Sequence, residues 1–173
     1  MSADPEIQTC PGCAARTPAS EGATHAYIGA SPGCWAVYCD VLGREYGDFR
    51  NPTWHRCTVD AYAVQHPGVP SRRSIQSVAG HLVALHLLLE RGLEPGYVTR
   101  VLGAAAAASA TRQAPFHWLD PPSFAGSRTV LDVAATDGIA AHERMVRAWA
   151  ADVWAAWSPH HRTVRDWAAA LAG

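Results

Sequence analysis

From Trp35 onward, apolar residues recur at positions 35, 38, 41, 42, 46 and 49, close to the 3.6-residue period of a helix with one buried face. The spacing predicts a first helix over about 35–47, with Ser31-Pro32-Gly33 as a turn just before it. Asn51-Pro52 reads as a cap followed by a first-turn proline, and opens a second helix that Pro67-Gly68 ends. Ser71 can cap a third helix whose apolar face runs through 75, 78, 82, 85 and 89 and stops at Gly92. A fourth starts at Pro95 and runs to about Ala110; its tract Ala104–Ala108 suits a closely packed face. The stretch 111–128, with three prolines and three aromatics, reads as a loop pinned by its own side chains. Thr129, with Asp132 three residues on, caps a short helix through Ala135, and Asp137 caps a long one with 142, 145, 146, 149, 153 and 156 on its broad face. Ser158-Pro159 restarts the chain as a last helix.

Residues 1–33 differ: Pro, Gly and Ser recur, no period is sustained, and at most a small ribbon is expected there. The expected fold is therefore all-α, a compact bundle of six or seven helices with a loop-rich N-terminal arm over 1–33, the whole of 1–173 forming one domain. Short connections make the first three helices antiparallel neighbours.

Composition removes several function classes. Fourteen basic residues, all arginine, against 15 acidic give a net charge of -1, with no basic field to attract nucleic acid or anionic lipid. There is no phosphate-cradling glycine loop and no serine elbow. No apolar run reaches the roughly 18 residues of a membrane span, and the start MSADPEIQTCPGC lacks the pattern of a secretory signal, so the expected location is cytoplasmic.

Five cysteines in a reducing compartment read first as metal or redox chemistry, and an odd number argues against a disulfide framework. Cys10-Pro11-Gly12-Cys13 is a knuckle that turns two sulfurs toward one point. Cys34 starts the first helix and His66 ends the second, so antiparallel packing brings both to the same end of the hairpin, where the arm must also lie. Three thiolates and an imidazole form a closed tetrahedral zinc set, and Cys10, Cys13, Cys34 and His66 are the first choice of ligands. The plain alternative is two free thiols on a tail, a buried Cys34 and a helix-capping His66, with another histidine as a competing fourth ligand. Cys39 and Cys57, inside helices, are assigned to the core.

A second polar group follows from folding the third helix back on the second. His81 then falls level with His55 or Arg56, with Asp60 about one turn nearer the loop. His55, His81 and Asp60 could bind a catalytic metal or act as base and orienter, or simply satisfy one another inside the core. The tandem His160-His161 opens the last helix beside Trp157 and Trp167; His161 is the candidate to share a cleft with His81, and an aromatic packing corner is the alternative. Arg72-Arg73 place two cations at the positive end of a helix, so a partner is expected: Asp60, Glu94, or a substrate carboxylate or phosphate. Trp149, Trp157 and Trp167 should pack on the first or third helix as the main core, with Trp154 off the stripe.

Five segments carry a recognisable pattern: Cys10-Pro-Gly-Cys13-Ala, Ser31-Pro-Gly-Cys34-Trp, the run from Thr58 to Gly68 containing Asp60-Ala-Tyr62 and Gln65-His66-Pro67, Ser71 to Ala79, and Trp157 to Trp167. With them the chain resembles a bacterial family of small proteins that carries no established activity. The resemblance runs from about residue 9 to 167, matches Cys10, Cys13, Cys34 and His66, and leaves Cys39 and Cys57 as departures. The expected function is a structural zinc site in a helical protein that binds a small ligand or a protein partner, with nucleic acid disfavoured, no membrane and the oligomeric state open. The alternative is a metal-dependent or histidine-based enzyme working through His81 and His161, with His55 and Asp60 in support.

Overall fold

The structure is a computed structural model that describes residues 6–109 and 116–172. The first residues of the arm, the predicted end of the fourth helix at Ala110, the start of the 111–128 loop and the final Gly173 lie outside the described residues.

Ser31, in extended conformation, accepts from the Cys34 backbone N–H at 3.3 Å and starts α1 (Pro32–Tyr46) three residues earlier than the apolar period implies. The Ser-Pro-Gly turn is thus a capped helix start with proline in the first turn. The second helix, α2 (His55–Gln65), begins later than Asn51-Pro52 suggests: Asn51 takes a left-handed φ of 54°, and Trp54 precedes the helix without a side-chain cap. Ser71 caps α3 (Arg72–Leu85) as its sequence predicts, but the helix does not run evenly to Gly92. It widens into a π turn over His86–Glu90, a feature with no signal in the apolar spacing. α4 is Pro95–Ser109; Ala104 is exposed, and the side chains beyond it in the alanine tract lie outside those described.

Thr129 and Asp132 form a reciprocal capping box on α5 (Val130–Ala134). Asp137 does not cap the long helix α6 (Ile139–Ala156); Gly138 stands at that position with φ of 74° and no side-chain bond. Ser158–His160 form a single 3-10 turn ahead of α7 (His161–Ala172), in place of the expected cap-and-proline start. In the arm, β1 (Ile7–Thr9) and β2 (Arg16–Pro18) pair antiparallel, Gln8 opposite Thr17, and close the small ribbon around the knuckle.

The architecture is an all-α bundle with a short stapled ribbon at its N-terminal end. α2 is its central helix, packed on α3 and on α6, while α1 lies against α5 and β2. α1 and α2 run antiparallel, as side-chain pairs down their length show: Cys34 with His66, Tyr38 stacked on Tyr62 at 3.7 Å, and Glu45 with His55. The core differs from expectation in three respects. Trp149 and Trp157 are fully buried, but they serve α2: the Trp149 indole donates to Gln65 Oε1 at 2.9 Å and that of Trp157 to the Val64 carbonyl at 3.1 Å. Trp167 packs against Phe116 and His117 of the loop. Trp154 is also buried, at 6% exposure, so helix α6 hides a wider face than the stripe indicates. Cys57 is buried, whereas Cys39, assigned to the core from sequence, is exposed.

Candidate metal centre and the histidine groove

Four donor atoms converge at the end of the α1–α2 pair. Cys10 leaves β1, Cys13 closes the turn between the strands, Cys34 lies in the first turn of α1 and His66 follows α2. Their ligand atoms all lie within 4.8 Å of one another, and all four residues are at most 2% exposed. The Sγ atoms of Cys13 and Cys34 are 3.8 Å apart, and His66 Nε2 is 3.5 Å from Cys34 Sγ. A zinc ion with Zn–S near 2.3 Å and Zn–N near 2.0 Å at tetrahedral angles sets S···S edges of about 3.8 Å and S···N edges of about 3.5 Å. The donor set and its spacing therefore fit zinc.

The surroundings prepare the ligands for a cation. His66 donates from Nδ1 to the Tyr62 carbonyl at 2.8 Å, which fixes the tautomer and leaves the Nε2 lone pair facing the sulfurs. The Ser31 backbone N–H points at Cys10 Sγ at 3.4 Å, and the Tyr62 hydroxyl donates to Cys34 Sγ at 3.6 Å, both stabilising thiolate charge. Gly12 lets the knuckle close: a Cβ there would stand 2.5 Å from His66 Cδ2, 2.9 Å from the Gly29 carbonyl and 3.0 Å from the Gln65 carbonyl. Free of metal, three packed thiols do not all ionise. Hydrogen bonds with Cys13 and then Cys34 hold Cys10 below the ordinary thiol range. Cys13 is pushed up to about 12, first by its bond with Cys10, and Cys34 is raised by its bonds with Cys10 and Cys13 and by burial.

The second group is divided by the structure. His81 Nδ1 lies 2.7 Å from Asp60 Oδ1, and Arg56 Nε donates to the same carboxylate at 2.9 Å; Asp60 is fully buried. His55 Nδ1 meets Glu45 Oε2 at 2.5 Å, and Glu45 too is fully buried. His55, Arg56 and His81 line a common groove of about 470 Å³ with Tyr46 and Thr99. His161 has other partners. Its ring stacks on Trp154 at 3.9 Å, its Nε2 donates to the Trp154 carbonyl at 2.9 Å, and its Nδ1 is 3.7 Å from Glu90. His160 donates to the Asp120 carbonyl. The tandem histidines thus sit in the aromatic corner between α6 and α7. His86, in the π turn, is bonded to Glu90 at 2.8 Å.

Sequence reasoning missed Glu45 and His142. Glu45 accepts from Thr58 at 2.7 Å and from His142 Nε2 at 2.9 Å as well as from His55. Thr136, whose own proton goes to the Val133 carbonyl at 2.6 Å, lies 3.3 Å from His142 Nδ1. Burial alone would push the Glu45 carboxyl up, but the hydrogen bonds from His142, His55 and Thr58 outweigh it and hold the group below its usual range. The signal was present: Glu45 follows Tyr38 and Val41 on the apolar stripe of α1, and His142 stands on the apolar face of α6, where an ionisable residue needs a buried partner.

Fold and site together define a helical protein stapled by a structural Cys3His zinc centre. The chain belongs to a family of unknown function (DUF5946), whose model matches residues 8–158. That span holds all four ligands and ends before His160 and His161. Neither the curated proteins nor the solved structures contain a match to the chain. Among the described residues no helix is long and apolar enough to cross a membrane.

Proposed function

We propose that Cys10, Cys13, Cys34 and His66 hold one zinc as a staple, and that the protein works by binding a ligand or partner on the surface the staple organises. The observation that carries this reading is the closure of the site: four protein donors, all buried, leave no position for water or substrate, so zinc there supplies a cross-link rather than Lewis-acid chemistry. The cross-link joins the arm, the start of α1 and the end of α2, and on that account we take the arm and the helices as one domain. A bacterial, cytoplasmic setting belongs to the same reading, since five free thiols suit a reducing compartment. The test is metal analysis of protein purified without added metal. One zinc per chain, lost in Cys10→Ser and Cys34→Ser, is expected; a metal-free protein with an unchanged melt overturns the staple.

A second reading is favoured by one observation. His55 and His81 are each oriented through Nδ1 by a fully buried carboxylate and line the same groove, the arrangement of an imidazole set up as general base. In this reading His55 and His81, with Glu45 and Asp60 behind them, carry an enzyme activity on a small molecule, and His161 stays outside it. Turnover that survives zinc-retaining His81→Gln and His55→Gln would remove it.

A further inference from the structure

The groove of His55, Arg56 and His81 does not end at His81. The same imidazole also lines a second hollow, of about 540 Å³, with Tyr27, Arg73 and Ser77. Arg73, Ser77 and His81 follow one another at four-residue intervals along one face of α3, so the two hollows meet at His81 and together make a furrow along α3. We propose that this furrow binds a small organic anion through a phosphate or carboxylate group, with Arg73 and His81 as its principal contacts and His55 and Arg56 beyond them. The proposal rests on the ligand-binding part of the reading above and names the class of ligand.

Charge and hydrogen bonding carry it. No Asp or Glu side chain lines either hollow among the described residues, while two arginines and two histidines do. The two carboxylates nearby, Asp60 and Glu45, are fully buried behind the imidazoles and are already engaged: Asp60 by Arg56 and His81, Glu45 by Thr58, His55 and His142. Each imidazole is held through Nδ1, so Nε2 is the nitrogen left to meet a ligand, and in the protonated ring it is a donor. Arg56 is neutralised by Asp60. Arg73 is not neutralised: it makes no ion pair among the described residues, and Asp60, a partner that the sequence suggests for it, is occupied by others. A guanidinium placed in the first turn of a helix works against the helix dipole, and an anion in the furrow relieves both charges at once. An oxyanion there accepts a forked pair of bonds from Arg73 and one from His81.

The experiment is isothermal titration of the zinc-loaded full chain with inorganic phosphate and, separately, with succinate, zinc content being measured on the same samples. Saturable binding of at least one anion is expected at millimolar concentration, and the stronger of the two identifies the headgroup. Arg73→Ala should weaken it about tenfold, the loss of a charged hydrogen-bond donor, and His81→Gln comparably. Arg73 is exposed and bonded to no acid, so its removal leaves the fold intact, and Arg162→Ala on α7 is the control for nonspecific charge. Absence of saturable binding by either anion in zinc-replete protein, or binding that Arg73→Ala leaves unchanged, overturns the inference. Loss of zinc in the unmodified chain counts instead against the staple.

Discussion

His66 gives its Nδ1 proton to the carbonyl of Tyr62, one helical turn back at 2.8 Å, while the hydroxyl of the same tyrosine reaches Cys34 Sγ at 3.6 Å. Tyr62 therefore sets the tautomer of one ligand and steadies the charge of another. Tyr62→Phe keeps the stack on Tyr38 and the backbone carbonyl, and removes only the hydroxyl. Zinc stoichiometry should stay at one, with the metal exchanging faster into a chelator, since a hydrogen bond to a ligating atom tunes affinity rather than creating the site. Complete loss of zinc in this variant would show that the hydroxyl does more than this.

Zinc loading should release protons. In the metal-free site Cys13 sits near 12 and Cys34 is raised as well, so both are protonated at neutral pH, while Cys10 is held low and is already a thiolate. Binding then frees about two protons, and affinity rises with pH by up to about a hundredfold per unit. Calorimetry of zinc binding in buffers of different ionisation enthalpy reads the number directly. A value near zero contradicts thiolate ligation by Cys13 and Cys34.

Gly12→Ala drives a methyl group to 2.5 Å from His66 Cδ2 and against two backbone carbonyls. It should weaken zinc binding and lower the melting midpoint. Gly43→Ala is the matched control: in the last turn of α1, with nothing within 4 Å of the new methyl, it should stabilise by up to about 0.5–1 kcal/mol. Equal effects of the two in thermal melts would mean that the close approach at Gly12 is not a constraint.

Glu45→Gln removes the carboxylate that joins α1 to His55 on α2 and His142 on α6. Breaking a buried charged network of this kind costs about 3 kcal/mol at neutral pH. The folded carboxyl is depressed, so its contribution is present in full above the unfolded value of about 4.3 and is lost as pH falls through the lower folded value. Denaturant melts from pH 6 downward should thus show a shallower acid loss in the variant than in the parent chain. Parallel curves would place the acid sensitivity elsewhere.

Two tryptophans at the end of α6, Trp154 in its last turn and Trp157 just past it, separate packing from hydrogen bonding. Trp157→Phe leaves the Val64 carbonyl without its donor in a fully buried place, at a cost of about 1–3 kcal/mol beyond the lost area. Trp154→Phe costs less, because its partner Glu90 keeps two bonds from Arg165, which hold that carboxyl down to about 2. Similar midpoints for the two would mean that the Val64 bond contributes nothing.

The sequence by itself determined the order of the helices and their number to within one, because apolar spacing and caps such as Ser71 and Thr129 act within a few residues of themselves. It also pointed to the zinc set, with the fourth ligand open among the histidines, since Cys10 and Cys13 are locked by their own turn and Cys34 and His66 lie at helix ends that an antiparallel pair must bring together. Local signals failed where the deciding contact is remote. Glu45 is held in part by His142, nearly a hundred residues away, and Trp149 and Trp157 face α2 because Gln65 and the Val64 carbonyl need donors there. The place of His161 was decided in the same way, by the ring of Trp154 under it and not by its position at a helix start. A side chain's partner across the core depends on how helices rotate and slide against one another, and that is set by the packing of the whole bundle, not by the residues beside it in the chain.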